Sequence, residues 1–127
     1  MSYAMTRRVP LTVDEADAAV RDARAAEGFG GLTEIDVQAT LKQKIDVDIA
    51  DYRILGACNP PFAHGAIEAE PDLGLLLPCN VVVRSEGDET VLSVIDPVAQ
   101  LGVSGNPALE EFAGEVKERL ERVLAAV

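Results

Sequence analysis

Aromatic residues make up only 4% of this 127-residue chain and tryptophan is absent. Single-stranded nucleic acids are held on successive aromatic faces, so that class of partner is not expected. Positive charge is equally scarce. Eleven Lys and Arg stand against 22 Asp and Glu, leaving a formal charge of −11 that repels phosphate backbones and anionic lipid. Neither a nucleic-acid nor a membrane partner is expected. No apolar run approaches the roughly 18–20 residues needed to span a bilayer. Met1 to Arg8 has no following apolar stretch and no cleavage site, so no secretory signal is read and the cytoplasm is the expected compartment. The two cysteines, Cys58 and Cys79, are too few for a disulfide framework and are expected as thiols there. His64 is the one histidine, so a His-based zinc site needs other donors. The chain carries no Walker loop, G-x-G-x-x-G fingerprint, His-Glu-x-x-His or G-x-S-x-G, and the cofactor stays unknown.

What is present suffices for a core: 48% of residues are hydrophobic and 26% charged, as in ordinary globular chains. The length predicts one domain, residues 1–127, with no repeat and no internal linker. Val9, Leu11 and Val13 alternate in a strand over Thr6 to Val13, with Pro10 marking an edge. Thr12-Val13-Asp14-Glu15 is a capping box opening a helix, whose apolar face is Val13, Ala16, Val20 and Ala23 and which Gly28 ends. Phe29 to Ile35 reads as a return strand, and Asp36 as the cap of a short helix over Val37 to Ile45. Tyr52 to Cys58 is a strand with Tyr52, Ile54, Gly56 and Cys58 on one side and Arg53, Leu55 and Ala57 on the other. Asn59-Pro60-Pro61 then starts a helix running to about Glu70.

Leu75 to Arg84 is apolar on both faces apart from Asn80, predicting a central strand buried twice, with Pro78 forcing a local break. Glu86-Gly87-Asp88 turns it into a hairpin with Thr90 to Ile95, ending at Asp96-Pro97. After a Gly- and Ser-rich loop, Asn106-Pro107 opens a helix with Leu109, Phe112, Val116, Leu120, Val123 and Val127 as its apolar stripe. Glu115 with Arg119, and Glu118 with Arg122, stand at pairing distance along it. The sum is an α+β domain of antiparallel strands and packed helices. Asp46, Asp48 and Asp51 read as solvated surface.

Four segments, Gly28-Phe29-Gly30 with Thr33-Glu34-Ile35-Asp36-Val37, Tyr52 through Pro60, Leu76-Leu77-Pro78-Cys79-Asn80-Val81, and Ile95-Asp96-Pro97, occur in an order that resembles domain-of-unknown-function family 302. The resemblance covers roughly residues 6–100. It implies a TATA-binding-protein-like α+β fold, an element order near β-α-β(4)-α closed by the helix over 107–127, and a homodimer. It implies no DNA binding, since the fold name describes shape, and it carries no activity. Gly65 departs from the larger residue that relatives carry there, which predicts a more open or more flexible helix start.

Cys58 is the residue best placed for chemistry, because a thiol ahead of a helix N-terminus feels unpaired N–H donors that lower its pKa. His64 and Glu68 share a helix face, so a Cys58-His64-Glu68 constellation forms if Cys58 curls toward His64. The plainer alternative is a buried Cys58 acting as a small hydrophobe, with His64 on the surface. Cys79 alternates with Leu77, Val81 and Val83 and reads first as core. If the Cys58-Asn59-Pro60 and Pro78-Cys79-Asn80 turns meet at one end of the sheet, Cys58, Cys79 and His64 make a soft-metal site suited to zinc or copper(I), though at no standard zinc spacing. A disulfide between the two cysteines is the other pairing. Asn80 either lines a pocket or ties up backbone freed by Pro78. Asp96 either ends a strand or adds a carboxylate to the same pocket. Glu34 and Asp36 are no catalytic pair.

Three functions follow. The first is a homodimeric binding module holding a small ligand or soft metal near the Cys58 helix start, lined by Cys58, Asn59, His64, Glu68, Cys79, Asn80 and Asp96. The second is a thiol enzyme in redox or sulfur transfer, with Cys58 as nucleophile and His64 as base or thiolate partner. The third is a structural or regulatory dimer with no pocket.

Overall fold

The structure, a computed structural model, describes residues 2–127. Its order is β1 (Ala4–Val9), α1 (Val13–Ala26), β2 (Gly30–Asp36), α2 (Val37–Ile45), β3 (Tyr52–Cys58), α3 (Pro60–Ala69), a 3-10 segment (Pro71–Leu76), β4 (Cys79–Glu86), β5 (Glu89–Ile95), α4 (Pro97–Gly102), a 3-10 turn (Pro107–Leu109) and α5 (Glu110–Ala125). Five antiparallel strands form one sheet in the order β1-β5-β4-β3-β2. This is the expected β-α-β(4)-α plan, with α2 and α3 inserted between strands and α4 placed before the closing helix.

Local chemistry accounts for most boundaries. The Thr12 Oγ1 accepts the Glu15 N–H at 3.1 Å while Glu15 accepts the Thr12 N–H at 3.0 Å, so two otherwise orphaned donors at the α1 start are satisfied. Asp36 caps α2 through the Ala39 N–H at 2.9 Å. The first strand is shorter than its alternation predicts, ending at Val9 rather than Val13. Pro10 has no N–H to pair, and Thr12 must stand free of the sheet to cap α1.

The central hairpin strand is corrected in two respects. Pro71–Leu76 is a 3-10 segment, Leu77–Pro78 is a cis peptide and β4 begins only at Cys79. Nor is β4 buried twice. Cys79, Val81 and Val83 face the helices and are buried, whereas Asn80 on the opposite face is exposed. The helical layer covers one face only: Val13, Ala16 and Val20 of α1 and Val116, Leu120 and Val123 of α5 join Leu55, Ala57, Val81, Val83, Leu92 and Val94 in one cluster. Fully burying each large side chain contributes about 1.5–3 kcal/mol, so this face holds the fold together. A second cluster, Ala66, Leu73, Leu101, Leu109 and Ala113, joins α3 to α4 and α5.

Helix α4 replaces part of the expected Gly- and Ser-rich loop. Along α5, Glu115 approaches Arg119 at 3.6 Å, but Arg122 reaches Glu27 of the α1 C-cap at 2.8 Å instead of Glu118. Asp17, buried in α1, accepts from Arg53 at 3.0 Å and from Arg21, and Arg53 also reaches Asp14 at 2.6 Å. These pairs pin α1 to β3. Among the described residues, no helix is long and apolar enough to cross a membrane.

Candidate functional site

The turn after β3 and the entry to β4 lie side by side because Ala57 pairs with Cys79 in the antiparallel register. Asn59 stabilises this end of the sheet twice. Its Oδ1 accepts the Phe62 N–H at 3.3 Å as the cap of α3, and its Nδ2 donates to the Gly28 carbonyl at 3.2 Å. The α1–β2 turn is thereby tied to the β3–α3 turn. Gly28 has φ of +82°, and an added Cβ there would stand 2.9 Å from Asn59 Nδ2, so glycine is needed on both counts.

Between these turns and the helices lies an apolar cavity of about 40 Å³, with both cysteines, Asn59 and the rings of Phe29, Phe62 and Phe112 among its walls. The phenylalanines are organised. Phe62 and Phe112 meet edge to face with centroids 6.4 Å apart, and the Arg119 guanidinium lies 5.1 Å from the Phe62 centroid. Gly65 contributes by its missing side chain: a Cβ would stand 2.9 Å from Phe112 Cζ. The expected looseness at Gly65 is therefore corrected, since Phe112 occupies the space. A larger groove of about 380 Å³ beside α4 and α5 lacks both thiols.

Both thiols are shifted away from reactivity. Burial raises the Cys58 pKa, reversing the expected lowering by the helix N-terminus. Cys58 precedes the cap residue, and the Asn59 side chain takes the Phe62 donor that a thiolate would use. Cys79 is pushed up to about 11, first by burial and then by charge at Cys58, so the two thiols are electrostatic neighbours. The Cys79 Sγ donates to Gln100 Oε1 at 3.4 Å, and the Gln100 Nε2 donates to the Pro78 carbonyl at 3.3 Å and to the Leu76 carbonyl. Gln100 holds the entry to β4 in place. Sequence reasoning missed it, because it lies in the unforeseen α4 and acts 21 residues from Cys79.

Four other expected members stand elsewhere. His64 and Glu68 do pair, with Nε2 and Oε1 3.0 Å apart, but their side chains are 75% and 69% exposed and line no part of the cavity. The residues between Asn59 and Ala66 that face inward are Phe62 and Ala63, which leaves His64 turned to solvent. Asn80 points to the open sheet face, the neighbour of Cys79 in a two-residue alternation. Asp96 caps α4 through the Val98 N–H at 2.9 Å and pairs with Lys117 at 3.0 Å. Burial pushes its carboxyl up, but Lys117 and the capped N–H groups outweigh this and hold it low. The three-donor soft-metal site does not assemble: among the described residues, no three of His, Cys, Asp and Glu are grouped to hold an ion. What remains is a pair of neighbouring thiols in an apolar wall.

A single antiparallel sheet covered on one face by helices, with an apolar cavity at one end, defines a small α+β domain. Residues 5–127 match the family described as domain of unknown function DUF302, and the chain belongs to that family. The match extends through α5, beyond the segments that carry the resemblance. The crystal structure of an uncharacterized conserved DUF302 protein from Bacillus stearothermophilus is similar with a TM-score of 0.93 and 28% identity, covering 99% of this chain and 98% of that one. No curated protein matches the chain.

Proposed function

We propose that this domain is a homodimeric binding module whose small, mostly apolar ligand occupies the cavity between α3, α5 and the β3–β4 end of the sheet. The observation that carries the reading is the convergence of three phenylalanines, two neutral thiols and Asn59 on one recess. A concave, mostly apolar site with a few oriented polar groups is the usual form of a small-molecule site. The volume suits a ligand part of a few heavy atoms, since one water needs about 10–15 Å³ on the same measure. Dimerisation rests on the family resemblance, and the uncovered sheet face, with Ile35 46% exposed, offers apolar surface for a second copy.

The thiol-enzyme reading loses ground because its base, His64, faces solvent and both thiols are held protonated. A soft metal would have two sulfur donors and no grouped third. Native mass spectrometry of the freshly purified protein tests the proposal together with a fragment titration followed by NMR. A dimer carrying a small added mass, lost when Ala66→Phe fills the cavity, is expected. Monomer mass, with no fragment shifting resonances of Phe29, Ala57 or Phe112, would overturn it.

A further inference from the structure

Arg24, in the last turn of α1, is 7% exposed, and its Nη1 is sealed from solvent with no hydrogen-bond partner. Its position is unusual in a chain with twice as many acids as bases. The nearby carboxylates are already engaged: Asp17 by Arg21 and Arg53, and Glu34 by Arg21 at 2.9 Å. Burial and the charge of Arg21 lower the Arg24 pKa and outweigh the charges of Asp17 and Glu34, which raise it without forming an ion pair with Arg24. A buried guanidinium with an unpartnered nitrogen and no direct ion pair is costly, so its retention points to an anion that can pair with it.

The fold places that cation beside the cavity. A Cβ on Gly31 would stand 3.3 Å from Arg24 Cζ, so the guanidinium lies against the bare Gly31 backbone on the helix-covered face. In the sheet register Gly31 pairs with Ala57, and Ala57 pairs with Cys79. Ala57 and Cys79 are both cavity walls, and directly paired residues on one face stand about 4.5–5.5 Å apart. Phe29, a further wall, donates its N–H to the Arg24 carbonyl at 2.8 Å. Gly31, against which the guanidinium rests, is thus one strand spacing from the cavity wall at Ala57.

Resting on the cavity reading above, we infer that the ligand carries a carboxylate and that Arg24 is its counter-ion, reached when the guanidinium turns from Gly31 toward Ala57. The planar fork of arginine matches a carboxylate with two parallel hydrogen bonds. A singly charged, compact head suits the small apolar cavity and the −11 chain better than a bulkier, doubly charged phosphate.

The test uses butyrate and its neutral analogue butyramide, titrated into the full chain and followed by amide NMR shifts. Butyrate is expected to bind at least about tenfold more tightly, the lower range for hydrogen bonds to a charged group. Arg24→Met should remove that preference, and Arg24→Lys should retain part of it. Equal binding of the two probes to the wild type would overturn the inference and leave the cavity reading standing. Failure of both probes to bind would overturn both. A butyrate preference that survives in Arg24→Met, or in the cavity-filling Ala66→Phe, would place the anion elsewhere and also overturn the inference. Should Arg24→Met fail to fold, Arg24→Lys decides: a reduced butyrate preference supports the inference and an unchanged one overturns it.

Discussion

Alkylation of the native protein with iodoacetamide near neutral pH separates the two cysteines and tests whether this end of the sheet is a thiol-activating site. Cys79 carries a pKa pushed up from an ordinary value of 9.0 to about 11, so well below both values its thiolate population falls by about 100-fold. The more basic thiolate is intrinsically more nucleophilic. With a Brønsted slope of about 0.4–0.5, two pKa units return roughly 6–10-fold. Ionisation alone therefore slows Cys79 by about 10–15-fold relative to an unperturbed thiol. Its 9% exposure and the hydrogen bond to Gln100 slow it further. Cys58 is partly exposed and raised by burial alone, so it should react before Cys79 yet more slowly than a free thiol. The assay is intact-mass spectrometry at successive times, native and in denaturant, with peptide mapping of the first adduct. A singly alkylated species mapped to Cys58 should accumulate, and denaturant should bring both sites to a common rate. Native Cys58 reacting faster than the denatured thiol, or Cys79 reacting at the denatured rate, would refute the argument.

Two further outcomes follow from the ion pairs. Asp17→Asn should destabilise the fold by about 2 kcal/mol in urea unfolding, less than the ~3–5 kcal/mol for a fully buried pair because Arg21 and Arg53 remain partly solvated. Burial raises the Asp17 carboxyl, but hydrogen bonds from Arg21 and Arg53 outweigh it and hold the folded pKa below the ordinary 3.8. Its contribution is therefore full above about pH 4 and is lost as pH falls through the lower folded value, so the mutant and wild-type curves should converge in acid. Convergence at alkaline pH instead would contradict that sign. His64→Ala, which removes an exposed pair with Glu68, should leave both the unfolding midpoint and the Cys58 alkylation rate unchanged; a slowed rate would restore His64 as a thiol partner.

Residues 12–15 specify their capping box within one helical turn, and the stripe Val116, Leu120 and Val123 specifies the buried face of α5, because each rests on neighbours three or four positions away. Hairpin and cap signals at Gly87, Asp36 and Asn59 are local in the same sense. The alternation of β4 showed that Cys79 and Asn80 face opposite ways. Which face the helices cover is a matter of packing, and so Asn80 lies outside the cavity. The meeting of Cys58 with Cys79 follows from the β3–β4 register, and the role of Gln100 from the docking of α4. Helix N-termini generally favour thiolates, yet Cys58 moves the other way because burial acts on it and the Asn59 side chain takes the Phe62 donor. That Arg24 forms no direct ion pair was invisible along the chain, where acids outnumber bases. It arises when Arg21 and Arg53 take the neighbouring carboxylates and Gly31 leaves the guanidinium a place against the strand. Short-range chemistry determined the caps of α1, α2 and α3 and the alternation within each strand. Long-range packing decided which polar groups share an environment, and the candidate site depends on that.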